Sequence, residues 1–216
     1  MLNARLSTLC PVIALVLAAA ASAAPEPLLA AAKPYKISGA NRDERGKWQP
    51  TEVLEQTRSG VVFQMQFLEP DAARRVLSSM LGRDVDLLPG RLGERRRGYL
   101  VFVLQIANAS PADVTFNPTQ ARLSTEKGDM EFALDYSALY DASRLLGPDG
   151  PGLEQMATAI FDRSLTIKPE GSVRKLLAFP APREDKYKTI EVRLAEVNVG
   201  AAAVDVVFFF RKFFQE

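Results

Sequence analysis

The stretch GYLVFVLQIANASPADVTFNPTQARLS, residues 98–124, decides the fold that we predict for this chain. The even-numbered residues from Leu100 to Ile106 are all large and apolar, so they form one face of a β-strand. The odd-numbered residues begin apolar with Val101 and Val103 and become polar at Gln105. We therefore expect a strand that is covered on both faces at its start and on one face at its end.

Turn signals divide the following residues into short strands. Asn108 and Pro111 end the first strand, because Asn bonds to the local backbone and Pro lacks an N–H group for a sheet. The turn at Lys127–Asp129 leads into a strand whose apolar residues are expected to face the core. The strands expected after the first are marked by Val114 and Phe116, by Ala121 and Leu123, and by Met130, Phe132 and Leu134. Such spacing is typical of an antiparallel β-sandwich.

Period-two alternation predicts further strands on both sides of this region. They cover about 51–57, 61–68, 165–167, 173–179, 190–199 and 204–210. The alternation changes phase between Ala195 and Val197, and one extra residue there predicts a β-bulge. We expect mainly β structure, an antiparallel β-sandwich with inserted α-helices.

Three segments with helical periodicity are the expected insertions, at about 70–82, 135–147 and 152–162. Pro70 and Asp71 suit a first helical turn, and Gly82 supplies a stop. Asp135 can cap the second helix. We expect the second and third helices to pack on one edge or end of the sheet.

The N-terminus has the pattern of a secretory signal peptide. Arg5 precedes an apolar run from Val12 to Ala21, and small residues follow, so cleavage is expected after Ala23 or Ala24. The predicted organisation is a signal peptide at 1–24, a flexible segment at 25–48 and a sandwich domain with helical insertions at 49–216. An edge strand at Tyr35 and Ile37 is the alternative within the flexible segment. Localisation is then periplasmic or secreted, with no transmembrane segment after cleavage. We expect cleavage of the signal peptide to remove Cys10 as well.

Composition excludes several classes of chemistry. The chain has no histidine, and its single cysteine lies in the signal, so triads with His and thiolate catalysis are absent. Removing Arg5 from 27 basic residues leaves 26 against 26 acidic ones, so we expect no nucleic-acid partner. We expect no cofactor and no metal. The carboxylates of Asp135, Asp141, Asp149 and Glu154 are interpreted as helix caps and turn residues, and a carboxylate-based hydrolase is the alternative.

Two clusters are candidate contacts for a partner. The first is the basic cluster Arg91, Arg95, Arg96 and Arg97, and the other is the aromatic pair Phe213 and Phe214. The arginines suit an acidic partner or phosphate groups, or they are a solvated loop that protects the next strand from aggregation. The aromatic pair suits an exposed edge that pairs with another chain, or it docks under a helix.

A third candidate is a pocket between the helices and the sheet. Its lining would be Tyr136, Tyr140, Met156 and Phe161. A helix stripe of this kind also suits ordinary core packing.

Several turns together resemble a known class of proteins. A long strand ends at Asn108, an F-x-P turn follows at Phe116–Pro118, and LTIKPEGSVRKLLAF at 165–179 precedes two closing strands. This order resembles the small immunoglobulin-like sandwiches of bacterial exported proteins, although Pro169-Glu170-Gly171 has one inserted residue. The resemblance implies an interaction or assembly module and transfers no catalytic residue.

Three functions remain open at this point. The first is a non-enzymatic interaction module that binds another envelope protein through the sandwich edge or the arginine loop. The second is a carrier of a small apolar ligand in the helix–sheet pocket, and the third is the hydrolase. Because a fold does not determine a function, the contacts of particular residues have to distinguish them. The sequence leaves the oligomeric state open.

Overall fold

The central strand predicted at 99–108 is β5 (Tyr99–Asn108), an interior strand of an antiparallel sheet that we call sheet B. The structure is a computed structural model and describes residues 35–85, 98–145, 153–183 and 186–214. The other strands of sheet B are β3 (Leu54–Arg58), β4 (Val61–Leu68) and β10 (Ser172–Pro180). Their order is β10-β5-β4-β3, and every neighbouring pair is antiparallel.

The second sheet, sheet A, contains eight strands among the described residues. They are β1 (Tyr35–Arg42), β2 (Trp48–Thr51), β6 (Val114–Phe116), β7 (Ala121–Thr125), β8 (Met130–Phe132), β9 (Leu165–Ile167), β11 (Thr189–Val199) and β12 (Ala202–Phe214). The order runs β2-β1-β12-β11, after which one end of β11 pairs with β6 and the other with β7. Strand β9 continues from β6, and β8 continues from β7.

The main core lies between the two sheets and contains the even-numbered face of β5. Phe102 is fully buried there against Phe67, Phe179 and Phe210, with ring centroids 5.5, 5.9 and 4.8 Å away. This arrangement confirms the prediction of a mainly β, antiparallel sandwich with helices.

A second core covers the opposite face of β5. Val101 and Val103 are buried there with Leu77 and Met156 from the helices. The expectation that both faces of β5 are covered at its start is confirmed. The helices, however, lie over the outer face of sheet B, whereas we expected the second and third at an edge or end.

The three helices are α1 (Pro70–Leu81), α2 (Tyr136–Leu145) and α3 (Leu153–Ala159). Gly82 ends α1 in the left-handed conformation, with φ of 69°, and the Asp135 carboxylate accepts the Ala138 N–H at 2.9 Å. Helix α3 ends before its predicted limit because Ile160 bridges to Leu176 in β10. Among the residues described, no helix combines the length and apolarity needed to cross a bilayer.

Within the predicted flexible segment 25–48, the alternative of a strand at Tyr35 and Ile37 is the one that the structure shows, as β1, but this strand is interior to sheet A and not at its edge. It lies between β2 and β12, and Ile37 and Ala40 are buried. Gly39 permits the close approach of β2 and β3: a Cβ atom there would lie 2.8 Å from Leu54 Cγ and 2.9 Å from Thr51 O.

The predicted orientation of β8 is also wrong. Met130 and Phe132 were expected to face the core, but each is 53% exposed. They pair with Ser124 and Arg122, whose side chains point away from the core side of β7. The strand is three residues long, and Ala133 and Leu134 after it are buried, so alternation does not continue into the core.

The bulge predicted in β11 is confirmed. The register of β11 on β12 shifts between Leu194 and Val197, and Glu196 has a φ of 54°. The Glu196 N–H donates to the Asp205 carboxylate at 3.0 Å, which provides the displaced residue with a partner. The bulge keeps Leu194 and Val197 both buried on the core face.

Tyr99, the first residue of β5, has a buried hydroxyl group with no hydrogen-bond partner in the part of the chain that the structure describes. Burial raises the pKa of Tyr99 to about 12. A buried hydroxyl without a partner costs about 1–3 kcal/mol. We expect Tyr99→Phe to leave the free energy of unfolding unchanged or to raise it by about 1 kcal/mol in urea denaturation. A loss of stability would show that this hydroxyl is satisfied in solution.

Candidate functional site

The structure tests only part of the predicted partner site. Arg91, Arg95, Arg96 and Arg97 lie outside the described residues, as does the side chain of Phe214. These remain predictions. Phe213 is described and half-buried, near the end of β12.

Phe213 lines an open cleft of about 420 Å³ that we call the basic cleft. Its other lining residues come from three separate segments: Gly46, Lys47 and Trp48 from the β1–β2 hairpin, Lys188 from the chain before β11, and Arg211 and Lys212 from β12. The cleft therefore combines four cationic side chains with two aromatic ones. None of these cations was singled out in the sequence, because no two of the three segments are close in the chain.

The Asp43 carboxylate accepts hydrogen bonds that hold the hairpin side of the cleft in place. Its carboxylate accepts the N–H groups of Arg45 and Lys47 at 3.0 and 2.8 Å and the Gln49 side-chain amide at 3.0 Å. The bond from Gln49 is the main reason why the pKa of Asp43 lies below its ordinary value. The charged form of Asp43 thus fixes the backbone that carries Lys47.

Glu126 positions the opposite side of the cleft. Its two carboxylate oxygens accept the backbone N–H groups of Lys188 and of Thr189, the latter at 2.8 Å. Partial burial acts to raise the pKa of Glu126, but these donors outweigh it and lower the pKa overall. The Lys212 N–H donates to the Lys188 carbonyl at 2.9 Å, and the Lys212 ammonium lies 3.7 Å from the Tyr187 ring centroid.

Trp48 connects the basic cleft to the exposed face of sheet A. Its ring lies 6.3 Å from the Phe209 ring, and the Arg42 guanidinium lies 4.6 Å from its centroid. Such a cation–π contact is worth about 0.5–1 kcal/mol at an exposed site. These contacts hold the indole at the rim of the cleft, where a bound group would change its surroundings.

Three cations of the basic cleft form no ion pair among the described residues. No carboxylate there lies within 4.0 Å of the charged groups of Lys47, Lys188 or Arg211. The Asp43 carboxylate interacts with the Lys47 charge at longer range, and the oxygens of Asp43 and Glu126 accept the hydrogen bonds described above. Like charges brought together with only partial compensation favour the binding of an anion.

The outer face of sheet A is the second candidate, and we call it the sheet A face. It consists of two neighbouring rows across β12, β11, β7 and β8: Phe209, Glu191, Ser124 and Met130 in one, and Val207, Arg193, Arg122 and Phe132 in the other. Three interstrand spacings of about 4.8 Å place the two ends of each row about 14 Å apart. Apolar side chains therefore flank a charged centre.

Charges in the centre of the sheet A face are only partly paired. Arg193 contacts the Glu191 carboxylate at 3.0 Å and the Asp205 carboxylate at 3.5 Å. Arg122 has no ion-pair partner within the described ranges. The face thus offers one uncompensated positive charge beside Phe132.

The residues predicted to line a helix–sheet pocket occupy different environments. Tyr136 is half-exposed, and the Arg163 guanidinium lies 5.2 Å from its ring centroid. Met156 is fully buried in the core under the helices, while Phe161 belongs to the core between the sheets and packs 5.3 Å from Phe116. The side chain of Tyr140 lies outside the described residues.

The carboxylates considered for hydrolysis occupy ordinary structural positions where they are described. Asp135 caps α2, and Glu154 lies in the first turn of α3. Asp149 lies outside the described residues. No group of three or more potential metal ligands occurs within the described segments.

Comparisons with known proteins leave the family open. No family model matches the chain, and no curated protein matches it. Among solved structures, the chain is similar to the crystal structure of the yjhA protein from Bacillus subtilis, with 8% sequence identity and a TM-score of 0.41. That similarity covers 71% of this chain and 93% of the other.

Proposed function

We propose that this protein is a non-enzymatic interaction module of the bacterial cell envelope and binds another protein through the sheet A face. The signal-peptide pattern at residues 1–24 supports export. The resemblance of its turns to immunoglobulin-like sandwiches of exported proteins supports an interaction role. The lack of histidine, and of cysteine beyond the predicted signal, supports a role without thiolate or His-based catalysis.

The observation that carries this proposal is the exposure of Met130 and Phe132 on a strand at the limit of sheet A. Each is 53% exposed, and Phe209, at 40%, lies on the same face. Single exposed apolar residues are ordinary, but several on one sheet face are typical of an interaction site. Burying such side chains against a partner contributes favourable hydrophobic free energy to a complex, which the cost of ordering the two partners partly offsets.

The charges on this face indicate what the partner carries. Arg122 has no described ion-pair partner and lies beside Phe132, with Arg193 on its other side. A complementary partner therefore presents an apolar segment for Met130 and Phe132 and a carboxylate for Arg122. An arginine–carboxylate pair adds geometric specificity, because the planar guanidinium can bind both oxygens.

We expect the double substitution Met130→Ser and Phe132→Ser to reduce partner capture at least tenfold, which corresponds to about 1.4 kcal/mol of binding free energy. The measurement is chemical crosslinking of the protein in a bacterial envelope extract, followed by quantitative mass spectrometry. Both side chains are exposed, so the variant should fold normally, and its urea denaturation curve checks this.

Val53→Ser is the matched control, because Val53 is an apolar residue with 44% exposure outside sheet A. The control should retain the partner that the wild-type protein captures. Equal capture by the wild type and the double variant would exclude the sheet A face as the contact. Absence of any stoichiometric crosslinked protein would contradict the interaction role itself.

A further inference from the structure

We infer that the basic cleft is a binding site for a multivalent phosphate-bearing anion. This site adjoins the sheet A face where Trp48 lies near Phe209, but its evidence is a different set of residues and does not depend on the protein contact proposed above. The inference starts from three cations that form no ion pair among the described residues: Lys47, Lys188 and Arg211.

The cations are brought together by long-range structure and held there by specific bonds. Lys47 is on a hairpin tip fixed by Asp43, and the Lys188 backbone is fixed by Glu126. Arg211 is on β12, paired with Ser38 on one side and Thr189 on the other. Positioning like charges in this way costs free energy in the unbound protein, and a bound anion offsets that cost.

The number and type of cations favour phosphate over a single carboxylate. Lysine ammonium groups bind phosphate as point charges, and a guanidinium binds two of its oxygens at once. A phosphate monoester carries a charge of about −1.5 to −2 at neutral pH. A group of this charge compensates two cations, whereas a single carboxylate compensates one.

The shape of the cleft adds a second requirement. A volume of about 420 Å³ is within the usual range for a small-molecule site. The rings of Trp48 and Phe213 contribute apolar walls, so the ligand has an organic part beside its phosphate. A free phosphorylated small molecule and a phospholipid headgroup share this chemistry.

Binding in the cleft can be measured by the fluorescence of Trp48, because it is the single tryptophan in the sequence. We expect inorganic pyrophosphate to change its fluorescence in a saturable manner, and isothermal titration calorimetry to give a matching Kd. The Lys47→Gln and Lys188→Gln double variant should bind at least tenfold more weakly. Both lysines are exposed, so the substitutions leave the core intact.

Arg174→Gln is the control, since Arg174 is an exposed cation on β10 in the other sheet. It should bind like the wild type. Vesicles of phosphatidylglycerol, compared with phosphatidylcholine, distinguish the two sources of phosphate. Lysine-dependent binding to anionic vesicles without pyrophosphate binding assigns a lipid headgroup, and the reverse assigns a soluble ligand.

Two outcomes would overturn the inference. One is the absence of binding to both probes by fluorescence and by calorimetry. The other is nonspecific binding. It would be shown by full binding of pyrophosphate to the double lysine variant, or by an equal response to sodium sulfate at the same ionic strength. In either case the partner assay on Met130 and Phe132 would be unaffected, so the two proposals can fail separately.

Discussion

Replacing Phe102 by alanine is expected to lower the free energy of unfolding by about 4 kcal/mol, the largest loss that we predict for a single substitution. Phe102 is fully buried and contacts three other phenylalanine rings. Phe67 and Phe179 belong to sheet B, and Phe210 belongs to sheet A, so this side chain connects the two sheets. Alanine would leave a cavity at that junction, and the rings around it would lose their contacts together.

Urea denaturation followed by circular dichroism measures this loss, and Phe132→Ala is the matched control. It removes the same side chain from an exposed position, so we expect a change of less than about 1 kcal/mol. Phe102→Leu should cost less than alanine because it fills part of the volume. An equal loss of unfolding free energy for Phe102→Ala and Phe132→Ala would contradict the packing of the two sheets around Phe102.

Phe102 also illustrates which parts of the fold can be predicted from the sequence. The apolar residues of β5 predicted a strand covered on both faces at its start and on its even-numbered face throughout, and both expectations are confirmed. The caps at Asp135 and Gly82 depend on local hydrogen bonding and backbone conformation, which nearby residues determine. The bulge near Glu196 could also be predicted from nearby residues, because it changes the phase of alternation within one strand.

The interior position of β1 and the orientation of β8 could not be assigned from the sequence, because both depend on distant parts of the chain. Ile37 and Ala40 become buried only when β12 pairs beside them, and Gly39 has no side chain to contribute to a pattern. Met130 and Phe132 are apolar, and the usual inference places apolar residues inside. Their exposure follows from pairing with Arg122 and Ser124, which the short strand itself does not encode.

The candidate sites are subject to the same limit. The sequence showed the arginine cluster because its members are adjacent, and that cluster remains a prediction. Lys47, Lys188 and Arg211 are more than 20 positions apart in each case, and sheet pairing alone brings them to one cleft. Of the residues chosen from the sequence, Phe213 is the one that lines this cleft.

Asn108 is the buried polar residue on which the second large effect depends. Its side-chain amide donates to the carbonyl groups of Ala112 and Ile167 at 2.8 and 3.0 Å. Its side-chain oxygen accepts the Ser110 N–H and hydroxyl at 3.0 and 2.6 Å. From the sequence we expected only the local bonds that end β5. The bond to Ile167 joins this turn to β9 in sheet A, 59 positions away.

The main chain of Asn108 reinforces that junction. Its N–H donates to the Gly171 carbonyl at 2.9 Å, and its carbonyl accepts the Glu170 N–H at 2.8 Å. Glu170 has a φ of 63°, a conformation that L-residues rarely adopt. The turn at 169–171 is therefore held by bonds to Asn108.

We expect Asn108→Ala to lower the free energy of unfolding by about 3 kcal/mol, because it leaves several buried donors and acceptors unpaired. Asn117→Ala is the matched control. The Asn117 side chain makes only the local bonds to Thr119, so its loss should cost about 1 kcal/mol. Equal losses for the two variants in urea denaturation would show that the link to Ile167 contributes nothing.

Asn108→Asp separates hydrogen bonding from side-chain shape. The introduced carboxylate would face the carbonyl oxygens of Ala112 and Ile167, and burial would raise its pKa above the unfolded value of about 3.9. A group with a raised folded-state pKa stabilises below the unfolded pKa and loses that contribution as the pH rises. Relative to the wild type, this variant should therefore lose stability as the pH increases from about 4 to 7. A difference that is constant over this pH range would contradict the buried, donor-dependent role of Asn108.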